Sequence, residues 1–531
     1  MLAFTGPLIS VCGLPAFMAQ QLDNVSRPSH GSVGADEIPW SPVEDSIRRT
    51  LSEVSRVTVS SVLKTHNIYH LGLDSISAIK VSGLLRQRGV QLAFRDLLRA
   101  KSISEMALMI GDAPSTQAPV IEPKDIEQQH GGVNIADVLA KAGIEVTEIE
   151  RVVPATAMQV HFLSVWQNTA GSVFYPEFRF RLTGPIDVDM VLTRWSELVR
   201  ETPILRTIFV ATTAKEVPIV QVVRKASKGH QYTSFGVHQD RDSCIVSLKI
   251  HHALYDAISL PVLLGRLQGS SLGRWTSSGA AQQVLAWNQF ATARLDDSAT
   301  RAREQFWTEY LGGVTSKSHP ASKQGDTTRV STFHESALPV ISRFKSACSE
   351  RGLSIQAVFF AAYAKLLASS HARTSTETET ESSRDVIFGI YLANRTETAS
   401  EASALTTYPT LALVPLRVRL GPEQEESLLD VAERVQRDLL AISDPINVAV
   451  GLWEIQAWTG VVVDSFVNFL GAAPKHQREE GPGGVEFMEP EAEQGGERPD
   501  RYSEPEELEG NMVRDAYPVS SPILLPDETD C

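Results

Sequence analysis

From Ala113 to Gly132 the chain is rich in Pro, Gln and charged residues and shows no apolar periodicity. Such a stretch presents no face that a core can bury, so 113–146 reads as a linker dividing the polypeptide into two separately built regions. Ahead of the break the pattern is helical. Ser41-Pro42-Val43-Glu44 supplies an N-cap serine, a first-turn proline and a glutamate in capping-box position. Val43, Ile47, Leu51 and Val54 then recur on one helical face. Ser75–Arg88 reads as a second helix ended by Gly89, Phe94–Leu98 as a third, and Ser102–Met109 as a fourth with Ser102 and Glu105 in capping-box spacing. Short helices over 41–112 make a small bundle, preceded by a tail at 1–40.

Beyond the linker, 147–474 mixes strands and helices. Phe178–Leu182 alternates as a half-buried strand, Val188–Glu201 is an amphipathic helix, and Cys244–Ile250 is a strand ending at His251 and His252. Ser354–Ala368 reads as an apolar helix, with Asp385–Ala393 and Leu411–Leu420 as buried strands. Residues 475–531 form an acidic tail with many Gly and Pro, a composition that favours disorder.

With 531 residues the chain has room for about two to four domains. Its net charge of −15 argues against nucleic acid or an anionic membrane surface as partner, because phosphate attraction needs clustered Lys and Arg. No run approaches the ~18–20 apolar residues that span a bilayer, so no membrane insertion is expected. Met1–Gln20 is mildly apolar but lacks a basic leader and is broken by Pro7 and Pro15, which reads as a flexible tail rather than a signal peptide. Cys12, Cys244, Cys348 and Cys531 are far apart and form no CxxC pair, so a reducing cytoplasm is the simplest location and no metal site is expected.

Two motifs carry chemistry. In Leu71-Gly72-Leu73-Asp74-Ser75-Ile76-Ser77, a serine follows a glycine turn and an acidic residue, which presents its hydroxyl at a helix start. Taken alone, that serine could equally be a helix cap. In His251-His252-Ala253-Leu254-Tyr255-Asp256, adjacent histidines end a strand and therefore point to opposite faces, an arrangement poorly suited to chelating one metal.

The first motif, with Tyr69 before it and the helical pattern around it, resembles the modification site of a peptidyl carrier domain. The second resembles the HHxxxD signature of condensation domains. Further blocks follow that family's order: Pro154–Gln159, Pro203–Phe209, Phe306–Leu311, Asp385–Gly389 with Asn394-Arg395, Val414–Val418 and Asp464–Phe469. The wording of HHALYDAISLP, LGLDSISAIK and IFGIYLANR is most similar to fungal ferrichrome-type siderophore synthetases, which are nonribosomal peptide synthetases.

The resemblance implies a four-helix carrier bundle followed by an α+β condensation domain of two chloramphenicol-acetyltransferase-like lobes, at about 147–315 and 316–474. It implies 4′-phosphopantetheine on Ser75, with Asp74 assisting transfer, and His252 facing the acceptor amine as base or positioning group. His251 would orient or pack, while Asp256 would be structural and ion-paired to Arg206. The implied partners are a phosphopantetheinyl transferase, an upstream adenylation domain and an acceptor carrier domain, in trans or in a longer synthetase. The chain itself shows no adenylation-type segment.

Departures from the family pattern bear on activity. Leu73 stands where carriers often have a second glycine, Ala257 where glycine often follows the aspartate, and Ala412 where asparagine is frequent. The stretch from Arg224 to Asp242 is short for a first lobe, and closing strands are not evident beyond Phe469. The alternatives are a catalytically degenerate carrier and docking protein, or a coenzyme-A-dependent acyltransferase.

Overall fold

In the computed structural model, the described residues are 39–469 except 74, 93, 111–133, 170, 172, 184–186, 215, 226–231, 241–242, 268–283, 285–286, 289, 315–340, 375–383, 395–406, 422–425 and 464, with 485–487 in addition. The bundle opens with α1 (Pro42–Ser55), where both halves of the expected capping box form. The Glu44 N–H donates to Ser41 Oγ at 3.2 Å, and the Ser41 N–H donates to Glu44 Oε2 at 2.9 Å. Helix α2 (Ser75–Gln87) ends at Gly89, whose φ of +80° lets the Val90 N–H return to the Leu85 carbonyl. Helices α3 (Phe94–Arg99) and α4 (Ile103–Leu108) close the bundle over a core that includes Ile47, Leu51, Val81, Leu85 and Met106. The second capping box forms only by half. Ser102 accepts from the Glu105 N–H, but the Glu105 carboxylate takes the Lys101 N–H instead of returning to Ser102.

The first lobe begins earlier than the sequence pattern places it. Helix α5 (Ile135–Lys141) falls inside the stretch read as linker, yet its Ile135 and Leu139 are buried in the lobe core. Its heptapeptide is too short for its periodicity to stand out from the polar surroundings. The lobe continues through β1 (Ile149–Pro154), α6 (Ala157–Asn168), β2 (Glu177–Thr183), α7 (Val188–Glu201), β3 (Thr207–Ala211), β4 (Ile219–Arg224), β5 (Thr233–Asp240), β6 (Ser243–Ile250) and α8 (Ser259–Leu267). One antiparallel sheet has the order β1-β4-β3, and the other contains β2-β6-β5. The short stretch after Arg224 is accommodated by pairing β5 directly with β6, from Thr233 opposite Ile250 to Asp240 opposite Ser243.

The second lobe comprises α9 (Asp297–Tyr310), α10 (Ile341–Arg351), α11 (Ile355–Thr374), β7 (Arg384–Ala393), β8 (Leu411–Leu420), α12 (Leu428–Ile442), α13 (Pro445–Val448), α14 (Leu452–Thr459) and β9 (Phe466–Val467). Strand β7 is central, antiparallel to β8 and parallel to β9. Helix α11 is apolar all round from Ala357 to Ala364, the signature of a helix surrounded by protein, and these residues are buried. Trp307 and Leu311 belong to this core, and Trp307 Nε1–H donates to the Asn447 carbonyl at 3.0 Å. The second lobe therefore recruits α9, ahead of the boundary at 315–316 that the sequence pattern suggests.

Strand β10 (Val485–Phe487) lies within the segment read as a disordered acidic tail. It pairs antiparallel with β2, Phe487 opposite Phe180, and so covers an edge that would otherwise expose unpaired backbone groups. Among the described residues, no single helix is long and apolar enough to cross a membrane.

Candidate functional site

At the bundle, Ile68–Leu71 leads into Gly72, which takes φ +70° and donates its N–H to the Tyr69 carbonyl at 3.0 Å. The left-handed turn suits glycine and aims the chain at the start of α2. Leu73, the departure from the carrier pattern, donates its N–H to the Ile68 carbonyl and buries its side chain in the bundle core. Ser75 is the first residue of α2; its side chain and the whole of Asp74 lie outside the described residues. The first turn of α2 carries no carboxylate.

The bundle is seated on the second lobe by residues just ahead of this turn. Asn67 Nδ2–H donates to the Gly352 carbonyl at 3.2 Å, and the Ser349 hydroxyl donates to the His70 carbonyl. Arg95 pairs with Asp444 at 3.1 Å, and Leu440 of α12 packs against the bundle core. Gly352 has φ +62°, and a Cβ there would approach His70 Cε1 to 2.3 Å, so the contact demands glycine on both steric and backbone grounds.

At the other site, β6 delivers the two histidines as its alternation requires, but on unlike surroundings. His251 is fully buried, its ring 5.1 Å from Trp166 and 5.7 Å from Tyr232. Its Nδ1 accepts the Ala253 N–H at 3.1 Å. Burial first, and the neighbouring His252 second, push its pKa down to about 3. This imidazole is neutral and packed among aromatic rings.

His252 is half-buried. Its ring lies between Phe162 at 4.4 Å and Tyr255, stacked at 4.5 Å. Burial lowers its pKa, partly offset by the charge of Asp256, so the neutral form that can accept a proton is favoured at neutral pH. Met158 and Phe162 of α6 pack against Leu413, Val463 and Phe466 of the second lobe, which places His252 at the seam between lobes.

Asp256 is buried, but it does not meet Arg206 as expected. One carboxylate oxygen accepts the Ile258 and Ser259 N–H groups at 3.0 and 2.8 Å, capping α8. The other accepts the Thr410 N–H at 2.8 Å, just before β8. Arg206 instead binds Glu150 at 2.7 Å and the carbonyls of Val199 and Arg224, bracing β4 against the end of α7. Three backbone donors hold the aspartate where it stands, and Arg206 has its own partners elsewhere in the lobe. Arg206 thus supports the lobe core rather than the histidine turn.

Sequence reasoning missed the ring walls Phe162, Tyr255 and Phe174, the latter 6.1 Å from His252 and edge-on to it. It also missed Thr410. Phe162 and Tyr255 were within reach, since Tyr255 lies inside the histidine motif and Phe162 follows Pro154–Gln159 closely; Phe174 and Thr410 belong to loops with no pattern of their own.

Residues 45–110 match the family described as phosphopantetheine attachment site, and 229–451 match the condensation domain family. Nonribosomal peptide synthetase 2 of Gibberella zeae is 37% identical over 88% of this chain and 10% of its own length. The hydroxamate-type ferrichrome siderophore peptide synthetase of Schizosaccharomyces pombe is 25% identical over 83% of this chain and 9% of its own. The chain thus spans about a tenth of the length of these relatives. The first condensation domain of the calcium-dependent antibiotic synthetase, a solved structure, is 14% identical with a TM-score of 0.43, covering 61% of this chain and 88% of that one. The attachment-site family brings covalently attached 4′-phosphopantetheine as cofactor. The chain is a carrier domain followed by a condensation domain of the nonribosomal peptide synthetase family.

Proposed function

We propose that this chain forms amide bonds during assembly of a hydroxamate siderophore peptide, with its own carrier as donor. The observation that carries the reading is His252: a neutral imidazole held at the seam between lobes by Phe162 and Tyr255. The substrate class rests on likeness to the ferrichrome synthetase. Seating of the bundle on the second lobe through Asn67, His70 and Arg95 favours a donor delivered from the same chain over free acyl-coenzyme A.

Ser75 is the attachment residue in this proposal, modified by a phosphopantetheinyl transferase with Asp74 beside it. The arm supplies a thiol that carries the acyl group as a thioester. At that thioester His252 would take the proton of the attacking amine and return it to the leaving sulfur, as a C–N bond replaces the C–S bond. His252 positions the nucleophile and holds that proton, while Asp256 and His251 fix the turn that carries it. An adenylation domain and an acceptor carrier act from elsewhere in a longer synthetase or in trans. The buried free thiols of Cys244 and Cys348 suit a reducing cytoplasm.

Incubation with a phosphopantetheinyl transferase and coenzyme A should add the mass of the arm, and Ser75→Ala should abolish the addition. Loading an acyl donor and supplying an amine on an acceptor carrier should then yield amide in a His252-dependent manner. Arm loading without amide formation would leave a docking protein. Turnover of free acyl-coenzyme A by the Ser75→Ala chain would make it an ordinary acyltransferase.

A further inference from the structure

Phe174 occupies the loop between α6 and β2 with φ +61°. Among the described residues, the other non-glycine with positive φ is Arg56, the C-cap of α1, where helices often turn left-handed. Phe174 has no such excuse. A bulky side chain in that region strains the backbone, and such strain persists only where the surroundings over-determine it.

Two bonds show what holds it. The segment runs on from β2 beside the end of β6, so that Ile250 N–H donates to the Pro176 carbonyl at 3.2 Å and His252 N–H donates to the Phe174 carbonyl at 2.8 Å. From the same residue the phenyl ring reaches Phe162 at 4.8 Å, and it meets the His252 ring edge-on at 6.1 Å and the His161 ring at 6.3 Å. Filling the seam does not explain the backbone, because Phe162, also in that apolar cluster, fills it from an ordinary helix. The left-handed turn is what allows one residue to grip the His252 peptide by its carbonyl and wall the imidazole with its ring.

We propose that Phe174 is a positioning residue for His252, fixing the peptide and the ring of that histidine and excluding water from the imidazole. The inference rests on the amide-forming role of His252 and adds the residue that orients it. The ionisable groups against His252 are His251, Tyr255 and Asp256 on its own turn, while His161 on α6 meets the Phe174 ring and Tyr175 meets the His251 ring. Of these, Asp256 is the charged one that favours protonation, and burial outweighs it. Removing the ring should admit water and raise the His252 pKa toward the ordinary value of 6.5.

The test uses the full chain loaded on its carrier. Phe174→Gly removes the ring and relieves the backbone, Phe174→Leu keeps bulk without an aromatic edge, and Phe174→Tyr restores the ring. Histidine Cε1 resonances, with His252 assigned by its loss in His252→Asn, are titrated beside amide-forming kinetics. Phe174→Gly should lower kcat about 10-fold to 100-fold with KM little changed, and should move the His252 titration upward. Phe174→Tyr should restore both, Phe174→Leu should fall between, and arm loading should be equal in all. An unchanged His252 titration in Phe174→Gly and Phe174→Leu overturns the inference, whether or not the rate falls. If the wild-type chain makes no amide, the proposed function fails instead, and the titration alone still decides the role of Phe174.

Discussion

In the carrier bundle, the turn that leads to Ser75 is set by neighbours close in sequence: Gly72 N–H on the Tyr69 carbonyl and Leu73 N–H on the Ile68 carbonyl. At the seam, the turn that carries His252 is set from far away. Phe162 and Phe174 wall it from the first lobe, and Asp256 is bonded to the Thr410 N–H 154 positions onward. The bundle can therefore present its serine wherever the domain travels. The histidine has its surroundings only when both lobes are assembled. One region is built for transport and the other for a fixed geometry.

The sharpest way to break that contrast is to remove the histidine alone. His252→Ala should lower amide formation about 10²-fold to 10⁴-fold while arm addition to Ser75, read by intact mass, stays at the wild-type rate. Coupled loss of both would mean that the two regions are not separate devices.

Acid should separate them next. His251 and His161 are held by burial at about 3 and about 4, below their ordinary 6.5. The unfolded chain then binds more protons than the folded one as pH drops below 6.5, so the lobes lose stability from about 6.5 toward 3. In the bundle, burial of Glu44 opposes its charge. The Ser41 backbone N–H, the Lys64 ammonium and the Ser104 hydroxyl outweigh that and hold the carboxyl at about 2, below its ordinary 4.5. Its contribution is complete above 4.5 and fades toward 2. His70, where the bundle meets the second lobe, is also held at about 4 by burial and then by His66, so the seat loosens over the same range as the lobes. Hydrogen exchange during acidification should show amides around His251 and His161 opening at higher pH than those around Glu44, and the reverse order would sink the comparison.

Smaller effects test the seat between the regions. Gly352→Ala meets both a left-handed backbone and the His70 ring, and should cost about 1–2 kcal/mol of seating. Scattering should show a more extended chain, and amide formation from the chain's own carrier should slow several-fold while arm loading is unaffected. Arg95→Ala removes a partly exposed ion pair with Asp444, worth at most about 1 kcal/mol, and should shift the same measurements slightly and less at high salt.

Much of this was legible in the sequence, for local reasons. Val188–Glu201 and Leu411–Leu420 show clear helical and strand signals and fold over those residues. The capping box at Ser41 and the stop at Gly89 are short-range chemistry and form as read. What stayed hidden depends on distance. The resemblance implies an ion pair of Asp256 with Arg206, whereas the structure gives the carboxylate backbone N–H donors, which leave no mark in a sequence. Helix α5 was lost in its polar surroundings, and α9 crosses into the second core through Trp307, a choice no period reveals. Phe174 reads as one aromatic among many until its backbone is seen.

The bond between Asp256 and the Thr410 N–H has a mechanical consequence. One carboxylate ends the histidine turn, starts α8 and grips the residue that enters β8, an edge strand of the second lobe's sheet. Any breathing of one half of the domain against the other must either stretch that link or drag the imidazole's loop along with it. An arriving acyl chain that pries the halves apart would thereby retune the very group it has come to meet.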